Sequence, residues 1–253
     1  MARKFDVVIL GAGAAGMMCA FRAGQRGRSV LVLDHAKAPG EKIRISGGGR
    51  CNFTNTGATA KNYLSGNPHF AKSALARYTA QDFVDLVDRH KIAWHEKTLG
   101  QLFCDNSAKD IIRMLLDEMD AAGVVLELQT VIGAIEHSDG GFRLATSRGD
   151  VIEAANLVVA TGGKSIPKMG ASGFAYEIAK QFGLKLVETR PGLVPLTLDP
   201  HLLEKVSPLS GIAVAAEVKQ NKTGFREAML FTHRGLSGPA ILQISSYWRE
   251  GDE

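Results

Sequence analysis

Apolar and polar positions fall in blocks along this chain, and the blocks switch between two periods. Phe5–Leu10 (FDVVIL) is a short apolar run rich in β-branched residues, the pattern of a strand covered on both faces in a parallel sheet. Met17–Arg26 has helical spacing and is stopped by Gly27. Ser29–Leu33 (SVLVL) is a second buried run, closed by Asp34. Strand, helix and strand within about 30 residues match the length of a parallel crossover unit.

Pro39–Asn55 breaks this rhythm and, being polar and glycine-rich, reads as a loop. Helical spacing returns at Ala71–Leu75, Ala80–His90 and Ala108–Ala122; in the last of these Ile111, Ile112, Leu115, Leu116 and Met119 share one face. Val124–Leu128 begins a strand. Val131–Ile135, Phe142–Thr146 and Val151–Glu153 suggest an antiparallel meander with a hairpin turn at Asp139-Gly140. Leu157–Ala160 (LVVA) is another buried strand, running into Thr161-Gly162-Gly163, and Phe174–Phe182 is a helix stopped by Gly183. Near Arg190 the composition shifts: Pro191, Pro195, Pro200 and Pro208 interrupt the pattern, with strands expected at Ile212–Lys219 and Met229–Thr232. The expected architecture is α/β. A Rossmann-like domain spans 1–190, with helices on both faces of a parallel sheet and a small β meander, and residues 191–253 begin a β-rich inserted domain.

At 253 residues the chain has room for one large domain, or for one and part of another. Apolar residues at 45% and charged residues at 22% fit a packed core and exclude disorder. The net charge of +4 is spread along the chain, with no dense basic run and no basic stripe interleaved with aromatics, so no nucleic-acid partner is expected. Cys19, Cys51 and Cys104 are odd in number and widely spaced, which disfavours a disulfide framework or a metal site and fits a reducing, cytoplasmic compartment. Arg3 and Lys4 before VVILGAGAAGMMCA have the outline of a signal peptide, but Asp6 interrupts it and the apolar run is glycine-rich. No run of 18 apolar residues exists, so no membrane span is expected.

The first chemistry-bearing segment is Gly11-Ala12-Gly13-Ala14-Ala15-Gly16. A lone GxGxxG is weak, but here it follows a buried strand and opens a helix. Gly11 permits the tight turn, Gly13 lets a pyrophosphate approach the backbone, and Gly16 lets the helix pack on the strand. The helix N-terminus offers free N–H groups to phosphates. Asp34, 18 residues beyond Gly16, is placed to accept from ribose hydroxyls and disfavours a 2′-phosphate. The second segment, Gly40–Asn55, is long for the crossover of a simple dehydrogenase. Gly47, Gly48 and Gly49 can bring backbone toward a ligand, Lys42 and Arg50 could balance phosphate charge, and Ser46 and Asn52 could donate to flavin or ribitol oxygens.

ISGGGRCNFTN, with the glycine fingerprint, resembles the bacterial NAD(P)/FAD-dependent oxidoreductases, some labelled aminoacetone oxidase-like. GQLFCDNSAKDIIRML, ATGGKSIPKMGASGFAYEIAKQFG and LFTHRGLSGPAILQISSYW resemble further segments of that family in the same order, so the likeness covers essentially the whole chain. The resemblance implies that Gly11, Gly13, Ala14, Ala15, Gly16 and Asp34 hold the ADP half of FAD. Lys42, Ser46, Gly47, Gly48, Arg50, Cys51 and Asn52 would then run toward the ribitol and isoalloxazine. Val131 would meet adenine through its backbone, and Thr161, Gly162 and Gly163 would line the cofactor from another strand. It also implies a last segment, returning to the FAD domain near the flavin's pyrimidine edge, that this sequence does not contain.

The function expected from this is FAD-dependent hydride transfer between flavin and a small organic substrate. With no second GxGxxG, NAD(P)H would bind only transiently as reductant. Two alternatives are a non-catalytic FAD- or nucleotide-binding remnant of a longer flavoenzyme, and an NAD-only dehydrogenase, which the long GGGRCN loop disfavours. Cys51 has no neighbouring cysteine in sequence and is read as a packing or flavin contact, with Cys19 and Cys104 as buried small hydrophobes. His233 with Arg234 is a substrate-facing candidate weighed against a plain turn residue. His90, His95 and His137 lack metal-ligand spacing, and no catalytic acid or base is assigned.

Overall fold

Val8, Ile9 and Leu10 are all fully buried although they point alternately to opposite sides, so the first strand is covered on both faces. The computed structural model describes residues 2–138 and 140–252. The chain divides into two units between Leu186 and Val187.

In the first unit the elements run β1 (Arg3–Leu10), α1 (Ala14–Gly24), β2 (Val30–Leu33), α2 (Glu41–Ile45), β3 (Asn52–Asn55), α3 (Lys72–Arg77), α4 (Ala80–Arg89), β4 (Trp94–Glu96) and β5 (Gln101–Cys104). They continue with α5 (Ala108–Ala121), β6 (Val125–Glu127), β7 (Ile132–Ser138), β8 (Gly141–Thr146), β9 (Val151–Val159) and α6 (Phe174–Gln181). The main sheet has six strands in the order β6-β2-β1-β9-β8-β7. Its first four are parallel and its last pairings antiparallel. One face carries Ile9, Val30 and Val32, packed against Met17 and Phe21 of α1 and against Ile111, Leu115 and Met119 of α5. The other face carries Val8, Leu10, Leu31 and Leu33, packed against Ile178 of α6 and against Ile135, Leu144 and Ile152. The alternation within β1 and β2 thus builds two cores from one sheet, the α/β architecture expected.

Two expectations need correction. Pro39–Asn55 is not a plain loop: Glu41–Ile45 is helical and buries Ile43, Ser46–Gly49 is a 3-10 turn, and Asn52–Asn55 pairs with β5 in a small sheet ordered β3-β5-β4. Its glycines hid these elements, because Gly47, Gly48 and Gly49 are not spacers but residues at φ +57, +66 and +86, a region that disfavours side chains. The strands expected at Val151–Glu153 and Leu157–Ala160 are one strand, β9. It pairs with β1 along its length and with β8 only through Ala154, and the polar break at Asn156 made one strand look like two. Asp139 lies outside the described residues, so the expected Asp139-Gly140 turn is only half in view.

The second unit contains β10 (Leu196–Thr197), α7 (Pro200–Val206), β11 (Ala213–Gln220), β12 (Thr223–Thr232), β13 (Gly235–Ser237) and α8 (Pro239–Ser245). Its antiparallel sheet is ordered β10-β13-β12-β11. Helix α8 starts with Pro239 in its first turn, where a missing N–H costs nothing, and buries Ala240, Ile241 and Ile244.

Candidate functional site

The turn between β1 and α1 tolerates no side chain at two of its three fingerprint glycines. Gly11 sits at φ +108, and a Cβ there would lie 2.5 Å from the Ala160 carbonyl oxygen; at Gly16 it would lie 1.8 Å from the Gly11 oxygen. At Gly13 a Cβ would meet nothing within 4 Å. Gly13 is also the N-cap of α1; no side chain caps that helix, and its first turn holds no acidic residue. Gly11 and Gly16 therefore serve the packing of strand, turn and helix. Gly13 leaves an open approach to uncapped N–H groups that favour an anion.

Asp34 is locked beside this turn. Its Oδ2 accepts from Ala12 N–H at 2.6 Å and its Oδ1 from Ala36 N–H at 2.8 Å. A carboxylate has about four acceptor positions, so both oxygens retain capacity for a ligand hydroxyl. His35 Nδ1 lies 3.4 Å from Oδ1. Gly170, at φ +80, backs the imidazole so closely that a Cβ would lie 2.7 Å from Nε2.

The turn stands between two cavities. The first, about 480 Å³, is lined by Gly11, Asp34, Val131 and Thr161 together with His35 and Phe174. The second, about 490 Å³, is lined by Ala14, Ala15, Lys42, Ser46, Cys51 and Asn52, along with Met18, Phe53 and Tyr78. The structure thus gathers most of the singled-out residues into two groups, with Gly11 on one side and Ala14 on the other. Gly47, Gly48 and Arg50 line neither cavity: Gly47 is pressed against Phe103 and Asn52 backbone, while Gly48 and Arg50 are exposed. Gly162 and Gly163 also line neither cavity, one facing Lys42 Nζ and the other Tyr176 Oη. Lys42 bridges the two glycine segments by donating from Nζ to Ser165 Oγ at 2.9 Å. Val131 does line the first cavity, but its N–H donates to Ser147 Oγ at 3.1 Å and its carbonyl accepts from Ser147 N–H at 2.8 Å. An adenine would have to share those groups.

Strand pairing corrects the reading of Cys51 as isolated. Asn52 pairs with Phe103, and Cys104 N–H donates to Arg50 O at 2.9 Å, which brings Cys104 beside Cys51. Both are free and buried. Burial pushes the Cys51 thiol up, and burial with Cys51 and two nearby aspartates pushes Cys104 to about 12. Neither is a thiolate nucleophile at neutral pH. His233 is exposed in the turn between β12 and β13. No group of three or more His, Cys, Asp or Glu able to hold a metal occurs among the described residues, and no helix there is long and apolar enough to cross a membrane.

Sequence reasoning passed over His35, Thr130, Phe174, Phe53 and Tyr78 as lining residues. His35 and Thr130 neighbour residues already singled out, Asp34 and Val131, which is a usable signal. Tyr78 offered none, because only the fold brings it back to α1, where Arg22 lies 5.4 Å over its ring.

Residues 5–233 match the family model described as HI0933-like protein Rossmann domain. The chain belongs to this family. Ribosomal RNA dihydrouridine synthase of Escherichia coli (strain K12) is 56% identical to it over 250 residues, 98% of this chain and 62% of that protein. The 3-dehydro-bile acid delta(4,6)-reductase of Clostridium scindens is 27% identical over 252 residues, 96% of this chain and 60% of that one. The chain therefore spans about three fifths of the length of these curated relatives. Neither carries the aminoacetone oxidase label, so the family resemblance holds at the level of a flavoprotein-related Rossmann domain. Among solved structures, 3-ketosteroid-delta4-(5alpha)-dehydrogenase from Rhodococcus jostii RHA1 superposes with a TM-score of 0.50 at 15% identity, over 64% of this chain and 46% of that chain, a likeness of fold.

Proposed function

We propose that this chain is the FAD-binding part of a flavin-dependent reductase that adds hydrogen across a carbon–carbon double bond conjugated to a carbonyl, with uracil in ribosomal RNA as its substrate. The carrying observation is the uncapped start of α1, open at Gly13 and standing between two cavities. That arrangement suits a long dinucleotide with a charged diphosphate at its middle. The names of the two relatives support the reaction: making dihydrouridine and removing delta(4,6) unsaturation both saturate a conjugated double bond. This reading reverses the expectation that nucleic acid is not a partner, and replaces the small organic substrate with a base.

The residues present fit FAD. Gly13 and the α1 N-terminus would face the diphosphate, with Ala14 and Ala15 small enough to let it pass. Asp34, fixed by two backbone N–H groups, would accept from the ribose of the ADP half. Its negative charge would repel a 2′-phosphate there. Lys42 would supply positive charge, and Ser46, Cys51 and Asn52 would run along the other half, with Gly47, Gly48 and Arg50 shaping that loop and Thr161, Gly162 and Gly163 bounding the site. When bound, the flavin supplies the hydride. Met18, Phe53 and Tyr78 give the second cavity an apolar wall against which a flavin ring would pack. Tyr78 Oη and Cys51 Sγ hold their protons at neutral pH, because burial pushes both up. NAD(P)H would act as a transient reductant, and residues 191–253 as the first part of a substrate domain.

The test is to purify the chain, record its flavin spectrum, add NADPH, and measure dihydrouridine by mass spectrometry in protein-free ribosomal RNA incubated with it. Bound FAD that is bleached by NADPH, with new dihydrouridine, supports the reading. A colourless chain that takes up no FAD overturns it in favour of a nucleotide-binding remnant. A yellow chain that leaves the RNA unchanged removes the RNA substrate.

A further inference from the structure

A net charge of +4 conceals one uneven stretch. From Lys42 to Gln81 the sequence contains no Asp or Glu, yet it carries Lys42, Arg44, Arg50, Lys61, Lys72 and Arg77. Both ends of its middle part reach the second cavity, which Phe53 and Tyr78 line. Between them, from Thr54 to Arg77, no residue is buried. Within this stretch, residues 56–71 hold no helix or strand, only one 3-10 turn, and a loop of that length is uncommon in a compact domain and typically functional or disordered. The start of the stretch is tied to β5 and to the Leu99-Gly100 turn, Asn55 Nδ2 donating to Leu99 O and Thr56 N–H to Gly100 O, and beyond that it is shaped by local hydrogen bonds. Thr59 and Asn62 form a capping box around a 3-10 turn, and Asn67 Oδ1 accepts from His69 N–H at 3.0 Å. Its two aromatic rings stay out of the core: Phe70 is 79% exposed and Tyr63 51%. Lys61, Lys72 and Arg77 form no ion pair with a described acidic residue.

We infer that Thr54–Arg77 is an RNA-binding surface that delivers a single-stranded segment to the second cavity, with Phe70 and Tyr63 as stacking platforms and Lys61, Lys72 and Arg77 as phosphate contacts. This rests on the RNA substrate proposed above. A base must leave its stack before chemistry reaches its ring, and exposed aromatics interleaved with unpaired cations are what unstacked nucleotides bind. A protein partner fits less well, since exposed rings spread among unneutralised cations make a poor apolar core for an interface.

The experiment compares the whole chain with two variants, Tyr63→Ala/Phe70→Ala and Lys61→Gln/Lys72→Gln/Arg77→Gln. Each is titrated against a short single-stranded oligouridylate, a duplex RNA of the same length, and vesicles containing phosphatidylglycerol, at several salt concentrations. None of the five residues lines either of the two cavities, so flavin content and unfolding midpoint serve as controls and stay at the wild-type values. We expect the wild type to prefer the single strand. The aromatic variant should bind about tenfold more weakly or worse, because its bases no longer stack. The charge variant should flatten the plot of log affinity against log salt by about 2, at roughly 0.7 for each phosphate of a single strand that is no longer neutralised. Variants that bind RNA like the wild type, with the same salt slope, overturn the surface and leave the reductase reading standing. A wild type that binds vesicles but no RNA overturns it in favour of a lipid surface. A wild type that ignores RNA while dihydrouridine still forms places the RNA-binding residues elsewhere, which also overturns it. Absence of both binding and product takes the RNA reading down with it.

Discussion

The Ala12 N–H donates to Asp34 Oδ2 at 2.6 Å, tying the glycine turn after β1 to the residue that ends β2. Asp34 Oδ1 meanwhile accepts from Ala36 N–H, so one carboxylate fixes two backbone segments. Asn at this position has a single acceptor oxygen and must turn an amide N–H toward one of those donors. Ala leaves both donors without a partner. We expect Asp34→Asn to lose about 1.5–3 kcal/mol and Asp34→Ala at least as much, in line with hydrogen bonds to charged groups. Chemical unfolding measures this. FAD titration should show both variants weakened well beyond any change in stability. Equal affinity in wild type and Asp34→Ala would mean that the carboxylate is purely structural.

The fingerprint glycines divide by what surrounds them. A methyl at Gly16 would sit 1.8 Å from the Gly11 carbonyl oxygen, so Gly16→Ala has to push α1 off β1. We expect a loss of about 3 kcal/mol or more, the upper range for overpacking. A methyl at Gly13 meets nothing within 4 Å, and the backbone there is at φ −84 and ψ −174, open to alanine. Gly13→Ala should leave the melting temperature within a few degrees of wild type, as expected for a change of about 1 kcal/mol or less, while FAD affinity collapses. Thermal melting without added cofactor, paired with flavin titration, separates the two. A Gly13→Ala chain that binds FAD normally would remove the diphosphate from this turn.

Much of this frame was legible from residue order. β1, α1 and β2 announced themselves because each is a local pattern whose period, stop residue and closing Asp34 agree. Long helices such as Ala108–Ala121 did the same through one apolar face. What stayed hidden depends on pairings distant in sequence. β3 exists only because Asn52–Asn55 finds Gln101–Cys104, and nothing local in GRCNFTN signals a strand. Cys51 and Cys104 lie far apart in the chain and become neighbours through that same pairing. Tyr78 reaches the second cavity by tertiary return. The acid-free stretch could be read from the sequence, but the chain-wide charge average diluted it.

Cys104 gives a pH signature of that hidden pairing. Its thiol is fully buried and pushed from near 9.0 to about 12, by burial first and then by Cys51, Asp110 and Asp105. Below its unfolded pKa both states keep the proton, and the group's contribution is fully present. Above it, the unfolded thiol ionises while the folded one does not, so stability falls as pH rises toward about 12. The slope approaches ~1.4 kcal/mol per pH unit from this group alone. Cys104→Ala should unfold more easily at neutral pH but show a shallower alkaline decline. Urea unfolding of both chains at pH about 8 and about 10 reads the difference directly. Parallel alkaline declines would show that Cys104 does not carry it.

Lys42 separates a structural bridge from a cofactor contact. Its Nζ donates to Ser165 Oγ, yet the side chain is exposed and forms no ion pair with a described acidic residue. An exposed hydrogen bond of this kind supports the fold little, so Lys42→Gln should change unfolding free energy by no more than about 0.5 kcal/mol. If Lys42 also faces the diphosphate, as the reading above has it, losing the charge should weaken FAD by about tenfold or more, the scale of a charge-assisted hydrogen bond. It should also make the remaining affinity less sensitive to salt. Lys42→Arg keeps the charge and should recover part of the loss, while Ser165→Ala removes only the bridge and should bind FAD nearly as the wild type does. The opposite ranking, with Ser165→Ala as damaging as Lys42→Gln and Arg giving no rescue, would make Lys42 a brace between the two glycine segments and remove it from the cofactor.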